Sequence, residues 1–553
     1  MLIEMKKELF IILLLFLLGF PAVRSLLQPG GYTSHDLTHH IVRQISMDKL
    51  LSEGQFPPRW SGELNNGYGY PVFLFNYPLP ALIGEIFHKT GFNFVDSFKA
   101  VLFLSMLLSP IGMYFFLESL LESKLAAFLG AVFYLYAPVR FLNVYVSAAV
   151  GSALGAAVLP FVFLSIVKLT KDYSKKWALI GALSLTTLVI SHNVTTFIFV
   201  PVILYFSVFC YFSPELKDKK IFLRNLSLMF VLGIGLSAWF WVPALIEKQY
   251  IIFDSVLANY YVSQFPLINQ IIYSPWGYGL SHPQSPQPGD MSYQLGLAHI
   301  FVILIYSLLY FVIGRKSRTK MLGLFVLITI AVSIFFMLKI SLPVWKSLPF
   351  LNLIQFPLRF QAITVFSISI ASALLIKYLP QRKFIFIVLL IVVIYANRNH
   401  WNINEVFNPG DNYYLSLKTT TASFDEHLPK WGRRVDKPAL SKLEIIEGSG
   451  KVSILDDKSN MVLAKVEVTA SSGLRLNQFY FPGWQIEVDG KKVDFNYLLD
   501  GFSHGLPVFK LPSGSHLVKA EFRNTTVRNL ADGISLVSVI ILGVLVCKLL
   551  IHK

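Results

Sequence analysis

Apolar runs of about twenty residues, each long enough to cross bilayer hydrocarbon as a helix, return along almost the whole chain. In lipid a helix satisfies its own backbone hydrogen bonds, so repeated runs of this length dictate a polytopic bundle. Candidate spans, about twelve of them, fall at 8–27, 97–117, 125–143, 147–168, 177–192, 194–212, 222–244, 293–313, 321–338, 357–376, 383–396 and 530–550. The first follows Lys6-Lys7 like a signal peptide, but Pro21-Ala22-Val23-Arg24 is a poor cleavage site, which argues for a retained span. The mean hydropathy of +0.57 agrees with a membrane protein.

A net charge of +16 raises nucleic acid as a ligand. The distribution argues against it, because the Lys and Arg gather in alternate short loops. These hold Lys124; Lys168, Lys171, Lys175 and Lys176; Lys217, Lys219, Lys220 and Arg224; Arg315, Lys316, Arg318 and Lys320; Lys377, Arg382 and Lys383; and Lys548 and Lys553. With the N-terminus inside, all of these loops are cytoplasmic, as the positive-inside bias requires. Three large polar pieces then face outward: a first loop of 28–95, a second of 245–292 and a segment of 397–528. Cys210 and Cys547 stand apart in apolar segments and make no disulfide framework.

Acidic and basic residues avoid the span centres. Lys99, Arg140, Glu247, Lys339 and Arg359 sit at span ends. An ion-coupled transporter ordinarily places such groups at the midplane, so this pattern favours chemistry at the outer face.

The first loop opens with Ser34-His35-Asp36-Leu37-Thr38-His39-His40. Thr33 to Asp36 has capping-box spacing, and Leu37, Ile41 and Ile45 recur at i+4, which predicts an amphipathic interfacial helix. Asp36 at the third helical position would cap free N–H groups; alternatively its carboxylate is a general base. One turn separates Asp36 from His39 and His40, close enough to share a metal, although Asp-x-x-His alone is weak. Arg359 either snorkels to the interface or holds a phosphate through its fork. From about Leu443 the chain alternates like short strands, with Asp489-Gly490 as a hairpin turn. The fold class is therefore mainly α, a bundle over 1–396, with an exterior β-sandwich within 397–528 and a last span and tail over 529–553.

His35-Asp36, Ser191-His192-Asn193, Ile354-Gln355-Phe356-Pro357-Leu358-Arg359-Phe360, Asp425-Glu426-His427-Leu428-Pro429-Lys430-Trp431 and Gln478-Phe479-Tyr480-Phe481-Pro482-Gly483-Trp484 extend over most of the chain. With a long acidic first loop and many spans, they give it a resemblance to the GT-C glycosyltransferases, which use lipid-phosphate-linked sugars. More narrowly it resembles the bacterial YfhO-like membrane proteins and a related group labelled 6-pyruvoyl-tetrahydropterin synthase-related. Nothing in the chain resembles the soluble synthase, so the label implies no pterin chemistry.

The resemblance implies that Asp36 is the catalytic base and that Arg359, Gln355, His35, His192, Arg59, Arg140 and Glu247 serve substrate binding. It implies a polyprenyl-phosphate sugar donor, a glycan, lipid or protein acceptor, and a site on the outer face of the cell membrane. His-Asp stands where the family's paired carboxylates would be. A divalent cation (Mg or Mn) therefore stays open, with Asp36, His39 and His40 as candidate ligands. The rival readings are a flippase for a lipid-linked precursor and a non-catalytic envelope assembly protein.

Overall fold

The structure is a computed structural model that describes residues 2–313 and 317–551; Arg315, Lys316 and Lys553 of the basic set lie outside the described residues. Helix α1 (Leu2–Val23) leads to strand β1 (Gly31–Tyr32) and helix α2 (Leu37–Ser52) of the first loop. The apolar stretch after it breaks at Tyr77-Pro78 into α3 (Val72–Phe75) and α4 (Leu79–Lys89). The bundle continues through α5 (Phe94–Leu121), α6 (Lys124–Leu135), α7 (Pro138–Phe141), α8 (Val150–Lys171), α9 (Lys175–Ser191), α10 (Asn193–Tyr211), α11 (Lys219–Leu236) and α12 (Ala238–Ile246). Two short helices, α13 (Phe253–Leu257) and α14 (Ile268–Ile272), lie in the second loop. Beyond them come α15 (Leu297–Ile313), α16 (Ser317–Met337), α17 (Leu342–Ser347), α18 (Gln361–Tyr378) and α19 (Arg382–Ala396).

Among the described residues, seven helices are long and apolar enough to cross a membrane, or nine if each of two bent pairs is one span. The expected twelve are all helical, but α9, α15 and α19 are short, with 17, 17 and 15 residues. The bends have local causes. Pro138 holds Ala137 extended (φ −71°, ψ 135°), and the axis turns 48° between α6 and the helix after it. At Ser237 the α11–α12 pair turns 67°.

The basic loops meet at one end of the bundle. Lys124 reaches Glu8 at 2.5 Å, Lys171 pairs with Glu122, and the Lys377 ammonium donates to the Leu121 carbonyl. At the other end the three polar pieces interlock. Strand β1 pairs with β2 (Val406–Phe407), Ile251 bridges Pro429, and the Tyr278 hydroxyl donates to the Asn402 carbonyl at 2.8 Å.

The third piece begins with α20 (Asp411–Ser416) and then forms a β-sandwich. Its strands are β3 (Leu443–Glu447), β4 (Gly450–Lys458), β5 (Met461–Val468), β6 (Ser472–Leu476), β7 (Trp484–Val488), β8 (Lys491–Lys492), β9 (Val508–Leu511) and β10 (Gly514–Phe522). One sheet runs β4-β5-β10-β7-β8, the other β3-β6-β9, and Val466, Leu474, Ile486, Phe509 and Val518 pack between them. Asp489 (φ 51°) and Gly490 (φ 77°) make the expected tight turn between β7 and β8.

The sandwich is wedded to the first loop. Trp60 is fully buried against Trp484 and Phe522, with ring centroids 5.6 and 5.0 Å away. Its indole N–H donates to Gln478 at 2.7 Å. Gly69 (φ 83°) allows the fit, since a Cβ there would stand 2.3 Å from the indole. The last helix, α21 (Thr526–Ile551), returns from the sandwich to the bundle.

Candidate active site

A cavity of about 1270 Å³ opens where the three polar pieces meet the spans. Of the residues expected at the site, His35, Asp36, Arg140, His192, Gln355 and Arg359 line it, with His39 and His40. Arg59 and Glu247 do not. Arg59 pairs with Asp532 at 2.6 Å, and Glu247 pairs with Arg528 at 2.9 Å. Both are spent holding α21 to the first loop and the end of α12, a role hidden in sequence because the partners lie hundreds of residues away.

Asp36 is placed by its backbone. The His35 N–H donates to the Val146 carbonyl at 3.0 Å and the Asp36 N–H to Ser147 at 3.1 Å. The expected capping box is not formed. Asp36 precedes the helix as its N-cap residue and makes no side-chain cap bond; Ser34 Oγ instead accepts the Leu37 N–H at 3.2 Å. Among the described residues, nothing donates a hydrogen bond to the Asp36 carboxylate. Backbone irregularity gathers next to it: Leu142–Val146 is a π-turn and Ala148 is left-handed (φ 54°).

Arg359 is placed by a second strained turn. Gln355 has φ 62° and ψ −48°, and the Phe356 N–H donates to the Ile354 carbonyl at 2.7 Å, a γ-turn of the rarer hand. The same carbonyl accepts Arg359 Nη1 at 2.8 Å, and the guanidinium lies 5.2 Å from the Phe356 ring centroid. The charged neighbours it faces are Asp36 and Glu426.

Arg43, one turn after His39, holds the roof. Its Nη2 donates to the Thr421 carbonyl and its Nη1 sits 3.5 Å from His40 Nδ1. This fixes the 421–427 segment, which brings Ser423, Phe424, Glu426 and His427 to the cavity wall. Glu426 is the second carboxylate of the site, accepting the Phe424 N–H at 3.2 Å. The sequence signal for it was the Asp425-Glu426-His427 match, but no span or loop pattern set it opposite Asp36.

The histidines are mostly committed. His35 Nε2 donates to the Gly279 carbonyl at 2.8 Å and ties the first loop to the second. His192 precedes α10 as its N-cap residue, and its Nδ1 accepts the Thr195 N–H at 3.1 Å. Burial and the Arg43 charge push both His39 and His40 below the ordinary imidazole range. His427, stacked on Phe75 at 5.7 Å, is pushed down to about 4 by burial.

Of the three candidate metal ligands, His40 is turned away. His40 is stacked on Phe98 at 5.7 Å with Nδ1 turned toward the Arg43 guanidinium, which leaves Asp36 and His39. Among the described residues, no three His, Cys, Asp or Glu converge on one point.

Away from this polar end the walls are hydrocarbon. Leu185 and Val189 of α9, Val200 and Leu204 of α10, and Phe230 and Ile234 of α11 line the cavity. Val200, Leu204 and Ile234 keep much of their surface exposed. The cavity thus joins a charged head region to an apolar slot.

A family model described as 6-pyruvoyl-tetrahydropterin synthase related domain, membrane protein, matches residues 74–403. An uncharacterized protein of Lactococcus lactis subsp. cremoris (strain MG1363) is 26% identical over 244 residues, which are 43% of this chain and 39% of that protein. The structure also overlaps the crystal structure of the Archaeoglobus fulgidus oligosaccharyltransferase. The apo form gives a TM-score of 0.41 at 13% identity, covering 76% of this chain and 61% of that one. The complex with Zn and sulfate gives 0.38 at 14% identity, covering 74% and 57%.

Proposed function

The chain belongs to the 6-pyruvoyl-tetrahydropterin synthase related family of membrane proteins, and we propose that it is a glycosyltransferase using a lipid-phosphate-linked sugar. One observation carries this reading. A carboxylate with no hydrogen-bond donor among the described residues, Asp36, shares the polar end of a cavity with Arg359, and much of the rest of that cavity is an apolar slot. An amphipathic ligand with an anionic head and a long hydrocarbon tail fits such a shape.

In this reading the tail lies along α9, α10 and α11, and the phosphate meets Arg359, whose fork can hold two oxygens. Asp36 takes the proton from an acceptor hydroxyl as that oxygen bonds to the anomeric carbon. The bond from that carbon to the phosphate oxygen breaks, and the negative charge left on the phosphate falls to Arg359. Glu426 is the second acid, placed to hold sugar hydroxyls or to assist the acceptor. The acceptor is a glycan, lipid or protein of the cell envelope. The positive-inside bias puts the basic loops in the cytoplasm and the cavity on the outer face of the cell membrane.

The test is mass spectrometry of lipids copurifying with the wild type and with Asp36→Asn. A lipid-phosphate sugar retained on the variant and turned over by the wild type supports the reading and names the sugar. Identical lipids on both, with surface glycans unchanged in a strain carrying the variant, would favour a lipid carrier, which has no use for a base.

A further inference from the structure

Arg140 stands apart from the machinery just described. It follows the break at Ala137-Pro138, so a helix that would otherwise cross straight through turns and delivers a guanidinium to the cavity wall. The residue is 3% exposed, yet Nε, Nη1 and Nη2 all lack hydrogen-bond partners among the described residues. The Tyr134 ring lies 5.4 Å from the guanidinium to the centroid. The carboxylates of the cavity, Asp36 and Glu426, face Arg359 instead.

A buried guanidinium with five donors and no acceptor is strongly unfavourable in an apolar surrounding, and such a group inside a membrane protein marks a ligand path. The wall around it is ready for an anion. Asn143, Ser147 and Ser152 line the same cavity, and the Asn143 amide has no hydrogen bond among the described residues. Phosphate oxygens would satisfy these donors together with the guanidinium.

We propose that Arg140 anchors a second anion-binding subsite, built to receive a phosphate group apart from the one at Arg359. The proposal rests on the reading of the cavity as a site for lipid-linked phosphate, and it adds that the cavity holds two anionic groups at once. The second is either the other phosphate of a diphosphate-linked lipid or a phosphate on a separate ligand. The subsite is joined to the base by a short stretch of chain, since the π-turn after Arg140 ends at the Val146 and Ser147 carbonyls that hold His35 and Asp36.

The experiment uses the full chain in detergent as wild type, Arg140→Gln, Arg140→Lys and Arg359→Gln. Affinities for inorganic phosphate, a polyprenyl monophosphate and a polyprenyl diphosphate are read from ligand-induced shifts in unfolding temperature. Arg140→Gln is expected to bind at least one phosphate probe roughly tenfold to a hundredfold more weakly, with Arg140→Lys recovering part of the loss. The empty Arg140→Gln protein is expected to unfold at the wild-type temperature or above it, because an uncompensated charge has been removed.

Loss confined to the diphosphate lipid places the second phosphate on the same lipid. Loss of inorganic phosphate measured with the monophosphate lipid saturating places it on a separate ligand. Equal binding of every probe by wild type and Arg140→Gln, no binding by either included, overturns the proposal. So does an empty Arg140→Gln protein that unfolds at a clearly lower temperature, since the guanidinium would then be holding the fold. Binding of inorganic phosphate through Arg140 with neither lipid bound keeps the subsite and removes the lipid-linked donor.

Discussion

The Asp36 N–H donates to the Ser147 carbonyl at 3.1 Å, and with the His35 N–H bond to the Val146 carbonyl it fixes the first loop to the connection between α7 and α8. It uses the backbone of Asp36 and leaves the carboxylate without a structural duty. A residue held by its main chain can lose its charge without losing its place.

Asp36→Asn should therefore fold as the wild type does, with stability within about 0.5 kcal/mol, the range of substitutions that break no named interaction. Transfer should fall by about 10²–10⁴-fold, the contribution of a positioned general base. Thermal unfolding beside a single-turnover transfer assay checks both halves. A large loss of stability would return Asp36 to the role of a helix cap.

Arg359→Gln should lower the rate of transfer by about 10²–10³-fold, as removal of one preorganised donor to a developing anion does. Arg359→Lys should recover only part of it, because an ammonium keeps the charge but loses the fork. The loss should appear in the chemical step measured with donor saturating.

Arg528 and Glu247 have side chains 0% and 2% exposed and lie 2.9 Å apart. Arg528→Met alone should cost about 3–5 kcal/mol, because it strands a buried carboxylate. Arg528→Met with Glu247→Leu should recover much of that, since no charge is then left buried. Limited proteolysis between the β-sandwich and α21 should follow the same order as the unfolding temperatures.

Acid should loosen the roof of the cavity. His427 is pushed from 6.5 to about 4 by burial, with Arg43 adding to the fall and Glu426 opposing it. In that window the unfolded chain binds the proton and the folded one does not. Stability from this group is thus fully present above pH 6.5 and lost as pH falls toward 4. The effect is on the order of 3 kcal/mol. His39 and His40, also lowered, add in the same direction. His427→Phe should flatten this part of a plot of unfolding temperature against pH.

The spans were legible because lipid leaves a helix little choice of residues, and the segments read as apolar became helices. Their lengths were not, since the sequence stays apolar straight through the breaks at Ala137-Pro138 and Ser237. The short strands after Leu443 and the Asp489-Gly490 turn were readable from alternation and turn residues. The site was legible where one short motif carried it, as in His35-Asp36 and Gln355 to Arg359. It was illegible where placement comes from far away. Glu426 enters through the hold of Arg43 on Thr421, and Arg59 is taken from the site by Asp532.

The cavity takes its walls from His35 at one extreme and His427 at the other. During synthesis the carboxylate is laid down almost at once, whereas its roof leaves the ribosome only after all the bundle spans but α21 have been made. An unfinished chain can hold a membrane-embedded bundle but not a closed head region. Competence arrives late and all together, once nearly every span is in place.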